Sequence, residues 1–143
     1  MTVIFSKKCE YGLQAILYIA TRPLGETIPA EKISQALKIP REFVSKILQD
    51  LKTSGLICSL KGKSGGFCLG KDPSEIKLID IVEALDGLEM FNSCVLGFPA
   101  CTPEAPCPVH DKWGTLRDQA YQMLKAETLD QLKEKTLKKI SNL

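Results

Sequence analysis

From Cys94 to His110 the chain reads CVLGFPACTPEAPCPVH, which gathers three cysteines, four prolines and the protein's single histidine into one short stretch. Thiolates and imidazoles are ligands for zinc, iron and iron–sulfur clusters, so chemistry is to be looked for here first. Six residues separate Cys94 from Cys101 and five separate Cys101 from Cys107. Both gaps exceed the CxxC knuckles of most structural zinc sites, and three thiolates fall one short of a closed tetrahedral set. Iron–sulfur clusters tolerate wider spacing and can take a non-cysteine fourth ligand, which makes a site labile or tunable. Pro99, Pro103, Pro106 and Pro108 keep the segment out of a helix and stiffen it, so less entropy is lost on ligation. By position alone, His110 reads first as a surface histidine at the start of a helix.

The setting of these thiols decides how they are read. The start, MTVIFSKKCEYG, lacks the long apolar stretch of a signal peptide, and no apolar run approaches the roughly 20 residues of a membrane span. A cytoplasmic protein is expected, where clustered cysteines point to metal or redox chemistry and not to structural disulfides. Cys9 reads as a small buried hydrophobe. Cys58 and Cys68 fall opposite one another if Ile57 faces Leu69 across a hairpin. Opposed strand residues hold their Cβ atoms about 4.5 to 5.5 Å apart, mostly more than a disulfide wants, so this pair is expected to form a strained, easily reduced redox pair.

The elements that position these groups follow from periodicity. With 143 residues, 44% hydrophobic and 25% charged, the chain is globular and long enough for one cored domain with an arm. SKKCEYGLQAILYIAT predicts a first helix with Ser6 as cap and Leu13, Ile16, Leu17 and Ala20 inward. PAEKISQALK predicts a second helix that buries Ile33, Ala36 and Leu37. After the short connector KIP comes a third, in which Phe43, Val44, Ile47, Leu48 and Leu51 form one apolar stripe. Its opposite face carries Arg41, Glu42, Ser45, Lys46, Gln49 and Lys52. Gly55 closes it, and LICSLKGKSGGFCLGK folds as two short strands around a basic, glycine-rich turn.

Helix, helix, short turn, polar-faced helix and basic hairpin are the order of a winged helix-turn-helix. Each part answers a physical need. The polar face of the third helix reads base edges in the major groove, while Lys61 and Lys63 on the hairpin meet phosphates. Charge agrees with this. Residues 1–70 hold ten Lys/Arg and five Asp/Glu, whereas residues 71–143 hold nine and twelve, so a polyanion is expected on the first half. GKSGG lacks the upstream glycine of a phosphate-binding loop, which removes nucleotide hydrolysis. IKLIDIVEALDG then predicts a helix burying Leu78, Ile81, Val82 and Leu85. DKWGTLRDQAYQMLKAE predicts a long one with Trp113, Leu116, Ala120, Met123 and Leu124 on one face, either core or a homodimer seam. Thr128 and Gln131 make a capping box for a last helix, LDQLKEKTLKKI.

Three blocks, YGLQAILYIA, SGLICSLKGKSGGFCLGKDPSEIKLIDIVEALDG and CPVHDKW, resemble the bacterial winged-helix regulators that include IscR, NsrR and CymR. The similarity runs from Met1 to about Leu132. It implies a homodimer on double-stranded DNA with a dyad-symmetric operator, and a cluster-bearing loop in many members but not in others. By that resemblance Cys94, Cys101 and Cys107 stand at the cluster-ligating positions, and His110 matches a histidine three residues past the last cysteine. Glu10 matches an acidic position that supplies a carboxylate ligand from the partner subunit in some relatives. A [2Fe-2S] cluster is thereby favoured over [4Fe-4S], with His110 as fourth ligand and Glu10 as the alternative. Two departures stand out: Lys61 replaces an arginine frequent in relatives, and the first cysteine gap is six residues instead of five. Lysine suits a narrow minor groove less well than arginine's flat, weakly hydrated head.

The expected fold is mainly α with a small β wing: a winged helix-turn-helix over residues 1–90, a cysteine-rich cluster-binding loop over 91–110, and a dimerisation helix plus C-terminal helix over 111–143. The expected function is transcriptional regulation, with operator affinity set by an iron–sulfur cluster that senses redox state, nitric oxide or iron–sulfur status. The alternative is a cluster-free or zinc-bound DNA-binding or protein-interaction module. An enzyme is not expected, since no nucleophile motif or paired carboxylates accompany the one histidine.

Overall fold

A computed structural model describes residues 4–99 and 102–143 of the chain. Six α-helices and a two-stranded antiparallel sheet follow in the order α1 (Lys7–Ala20), α2 (Ala30–Leu37), α3 (Arg41–Thr53), β1 (Ile57–Leu60), β2 (Gly66–Leu69), α4 (Leu78–Leu85), α5 (His110–Ala126) and α6 (Leu129–Ile140). This is the expected winged helix.

Local chemistry sets most of the boundaries. Ser6 caps α1 by accepting from the Cys9 N–H at 3.1 Å. Lys38, in the left-handed region at φ 57°, ends α2, and the Ile39 N–H returns to the Ser34 carbonyl at 3.1 Å. That tight turn delivers the chain to α3. Gly55, at φ 84°, ends α3, and Leu56 donates back to the Leu51 carbonyl at 3.1 Å, the paired bonding of a glycine-closed helix. Thr128 and Gln131 cap α6 reciprocally, as expected.

The principal core lies between α1, α2, α3 and the wing, with Ile16, Ile33, Leu48 and Leu51 fully enclosed. Burial of each such side chain stabilises the fold by about 1.5 to 3 kcal/mol. Gly12 is where α1 meets the rest closely: a Cβ there would collide with Leu85 Cδ1 and lie 3.3 Å from Ile47 Cγ2. Grouped by sequence with the dimerisation arm, α6 instead packs on α1, and its Leu129 and Ile140 join this core. The Leu129 N–H donates to Ile76 and the Leu78 N–H to Glu127, tying both ends of the connection together.

A second, smaller core forms where α5 crosses α4. Cys9, Ile79, Val82, Phe91 and Leu124 meet there, flanked by Ala120 and by Tyr121, whose ring stands edge-on to Phe91 at 5.2 Å. Of the face expected as either core or homodimer seam, part lies in this core. Leu124 is 3% exposed within its own chain and Ala120 packs beside it, whereas Leu116 and Met123 stay outside at 60% and 51%. Only the outer part of that apolar face remains for a partner.

The wing has the expected register, with Ile57 facing Leu69 and Cys58 facing Cys68. Cys58 and Cys68 are disulfide-bonded, their Cα atoms 5.4 Å apart. Sequence did not show what holds the hairpin to the body. Ile28, just before α2, exchanges backbone hydrogen bonds with Phe67 at 2.9 and 2.8 Å. Gly66 permits that approach, because a Cβ there would lie 2.5 Å from the Ile28 carbonyl carbon.

Candidate nucleic-acid interface and metal-binding loop

The polar side of α3 is the outer face of the helix-turn-helix. Arg41, Glu42, Lys46 and Gln49 are exposed and Ser45 is half-buried, while Val44, Ile47, Leu48 and Leu51 turn inward. Phe43 departs from the expected stripe: it is 55% exposed. At 100° per residue the four buried positions fill an arc about 100° wide, and Phe43 falls about 40° beyond its edge. It lies on the side of α3 that faces α1, with its ring edge-on to Tyr11 at 6.1 Å.

Lysines surround that aromatic pair. Lys7 Nζ sits 5.2 Å from the centre of the Tyr11 ring and 3.4 Å from Glu10 Oε1. Lys8 Nζ reaches Asp50 Oδ2 at 2.8 Å, which fastens the start of α1 to α3. Lys7, Lys8, Tyr11, Phe43, Lys46 and Ile47 line a cavity of about 290 Å³. Lys7, Lys8, Tyr11 and Phe43 were absent from the expected interface. The signal for Phe43 was available as an angle on the helical wheel; for the α1 residues no local signal existed, because they reach this face only through the packing of α1 on α3.

On the wing, Lys61 and Lys63 are exposed on either side of Gly62, which has φ 109°. Thr27 Oγ1 donates to the Ser64 carbonyl at 2.6 Å and so anchors the tip. The two lysines are therefore presented on a hairpin held at its base by the disulfide and at its tip by Thr27. A basic hairpin beside an exposed polar helix can straddle a duplex, with the helix against base edges and the hairpin against phosphates.

The cysteine segment is built differently. Cys94, Cys107 and His110 are half-buried, while Val95, Leu96 and Phe98 between them are about half exposed. Cys101 lies outside the described residues. Turns hold the loop: Gly97 donates to the Cys94 carbonyl, Ala105 to Thr102, and His110 to the Cys107 carbonyl, each near 3.0 to 3.1 Å. One longer-range bond joins its two ends, from Trp113 Nε1–H to the Ser93 carbonyl at 3.0 Å. The residue before Cys94 is thus fixed to the first turn of α5, which begins at His110. Among the described residues no three His, Cys, Asp or Glu side chains stand close enough to share one metal ion. In kind, the donors Cys94, Cys107 and His110 suit iron or an iron–sulfur cluster, soft thiolates beside an imidazole. Glu10, in the first turn of α1, is paired with Lys7.

Burial raises the Cys9 thiol to about 12, helped by the negative charge and hydrogen bonding of Asp86 and by Glu10. It stays protonated at neutral pH, the opposite of what a thiolate ligand requires.

Comparison with known proteins identifies the fold and the family. The model of a family described as Rrf2: Iron-dependent Transcriptional regulator matches residues 5–135. A protein of Aquifex aeolicus (strain VF5) named as an HTH-type transcriptional regulator is 35% identical over 132 residues, 91% of each chain. Among solved structures, CymR, the global cysteine regulator of B. subtilis, superposes with a TM-score of 0.77 at 26% identity, covering 93% of this chain and 98% of that one. The T. potens IscR structure shares the fold at a TM-score of 0.72 and 24% identity, over 94% and 88% of the two chains. These relatives are transcriptional regulators, not enzymes. Among the described residues no helix is long and apolar enough to cross a membrane.

Proposed function

The chain belongs to the Rrf2 family of transcriptional regulators, and we propose that it acts in the cytoplasm as a homodimer on a dyad-symmetric operator, with an affinity governed by an iron–sulfur cluster. Arg41, Glu42, Ser45, Lys46 and Gln49 meet base edges and phosphates in the major groove, and Lys61 and Lys63 contact the flanking backbone. Cys94, Cys101 and Cys107 hold the cluster, a [2Fe-2S] centre by preference, with His110 as fourth ligand and Glu10 as its alternative. The cluster supplies a redox-active and chemically labile centre, open to attack by oxygen or nitric oxide.

The observation that carries this reading is the Trp113–Ser93 hydrogen bond, which couples the cysteine loop to α5. From there the route to DNA is short. Ala120 and Leu124 of α5 rest on Ile79 and Val82 of α4 and on Cys9 of α1, and Ser6 at the head of α1 donates to Asp86 at the foot of α4 at 2.8 Å. Lys8 then ties α1 to α3. Displacement of the loop moves α5, and α5 moves both the dimer partner and the seat of the recognition helix.

Anaerobic purification with iron and acid-labile sulfide analysis tests the cluster. Operator affinity of holo- and apo-protein at one fixed salt concentration then tests the switch, because salt alone shifts such affinities widely. Equal affinities would remove the switching role and leave DNA binding intact. Unchanged cluster content and spectrum in His110→Ala would strike His110 from the ligands. The same analysis identifies the other reading, a zinc-bound or metal-free regulator, by its lack of sulfide.

A further inference from the structure

The structure assigns Phe43 a role outside the core: we propose that its ring, backed by Tyr11 and ringed by Lys7, Lys8 and Lys46, reads the C5-methyl group of a thymine in the major groove. This inference rests on the DNA-binding reading above and adds a base to it.

Four observations carry it. Phe43 is the third residue of α3, and the first residues of a recognition helix are those that reach base edges. An aromatic ring left 55% exposed on an otherwise charged face has apolar surface to bury, and a thymine methyl is the one apolar group on the major-groove edge. Tyr11 holds the ring from the side at 6.1 Å, so Phe43 is kept in place before DNA arrives and little rotamer freedom is lost on contact. Finally, the cavity of about 290 Å³ beside it is rimmed by three lysines. Lys7 and Lys8 of that rim are paired with Glu10 and Asp50, which leaves Lys46, beside the ring on α3, to meet a phosphate while the apolar floor meets the methyl. Tyr11 here is a positioning residue, since it acts through Phe43.

The test begins with selection of bound duplexes from a random-sequence pool by the full-length protein. Each thymine of the selected site is then replaced in turn by deoxyuridine, which keeps base pairing and O4 and lacks only the methyl group. The expected result is one thymine per half-site at which the replacement weakens binding about fourfold, the size of one buried methyl group. Phe43→Ala should bind the thymine and deoxyuridine duplexes equally, while its thermal midpoint stays near that of the parent, as truncation of an exposed ring allows. Methyl dependence that survives in Phe43→Ala, or a selected site with no methyl dependence anywhere, overturns the inference and leaves DNA binding standing. Failure to select any duplex overturns the DNA-binding reading as well.

Discussion

The winged-helix body and the cysteine loop obey opposite rules. In the body, helices carry caps, the apolar stripes of α1, α2 and α3 are enclosed, and the wing is fastened by a disulfide, by the Ile28–Phe67 bridge and by Thr27. In the loop, Val95, Leu96 and Phe98 face outward, and backbone turns at Cys94–Gly97, Thr102–Ala105 and Cys107–His110 contribute order. Under the cluster-binding reading proposed above, a segment with so little burial would gain much of its stability from the group it ligates. In the proposed reading, a fixed face suits DNA recognition and a less buried loop suits sensing.

The contrast is broken most directly by truncation. Leu48→Ala, in the body, is expected to lower stability by about 2 to 5 kcal/mol, and Leu96→Ala, in the loop, by less than about 0.5 kcal/mol, both read from urea midpoints. Comparable losses at the two sites would end the distinction. Next in size is the wing disulfide. In protein whose Cys94, Cys101 and Cys107 are replaced by serine, dithiothreitol should cost about 2 to 3 kcal/mol, the value of closing a ten-residue loop. Further replacement of Cys58 and Cys68 should abolish the effect of reductant. Smaller again is the link between loop and helix. Trp113→Phe removes the bond to Ser93, worth about 1 kcal/mol, and should speed the loss of iron from the proposed cluster to a chelator with little change in the global midpoint.

The smallest effect concerns Cys9, where loop and body meet. Its folded pKa, about 12, lies above the ordinary 9.0, so its stabilising share is complete below pH 9 and falls away as pH climbs towards 12. By pH 9.5 the loss should be less than about 1 kcal/mol. Cys9→Ala should flatten that part of the curve of melting temperature against pH. Native protein at pH 8 should leave Cys9 unalkylated.

Much of this architecture was legible in the residues because its causes are local. Ser6, Gly55 and the Thr128–Gln131 box act within one turn of helix, and the wing register follows from pairing Ile57 with Leu69. The three cysteines and the histidine were equally visible, being packed into one stretch. Phe43 was misassigned because periodicity counts apolar residues without measuring how wide an arc the neighbouring helices can cover. Leu124 and Ala120 were left open between core and dimer seam because an apolar stripe does not record which surface it meets; α4 and α1 meet part of it first.

Sequence alone thus determined the kind of protein: the order of helices, the basic hairpin, the ligand types and the family they resemble, all features encoded within a few residues of one another. Tertiary structure alone decided which residues share a face. Lys7, Lys8 and Tyr11 stand beside Phe43 and Lys46, and Ser93 is joined to Trp113 across twenty residues. The physical reason is that burial and long-range hydrogen bonds depend on the docking angles of whole helices, which sum many contacts and which no single stretch of the chain contains.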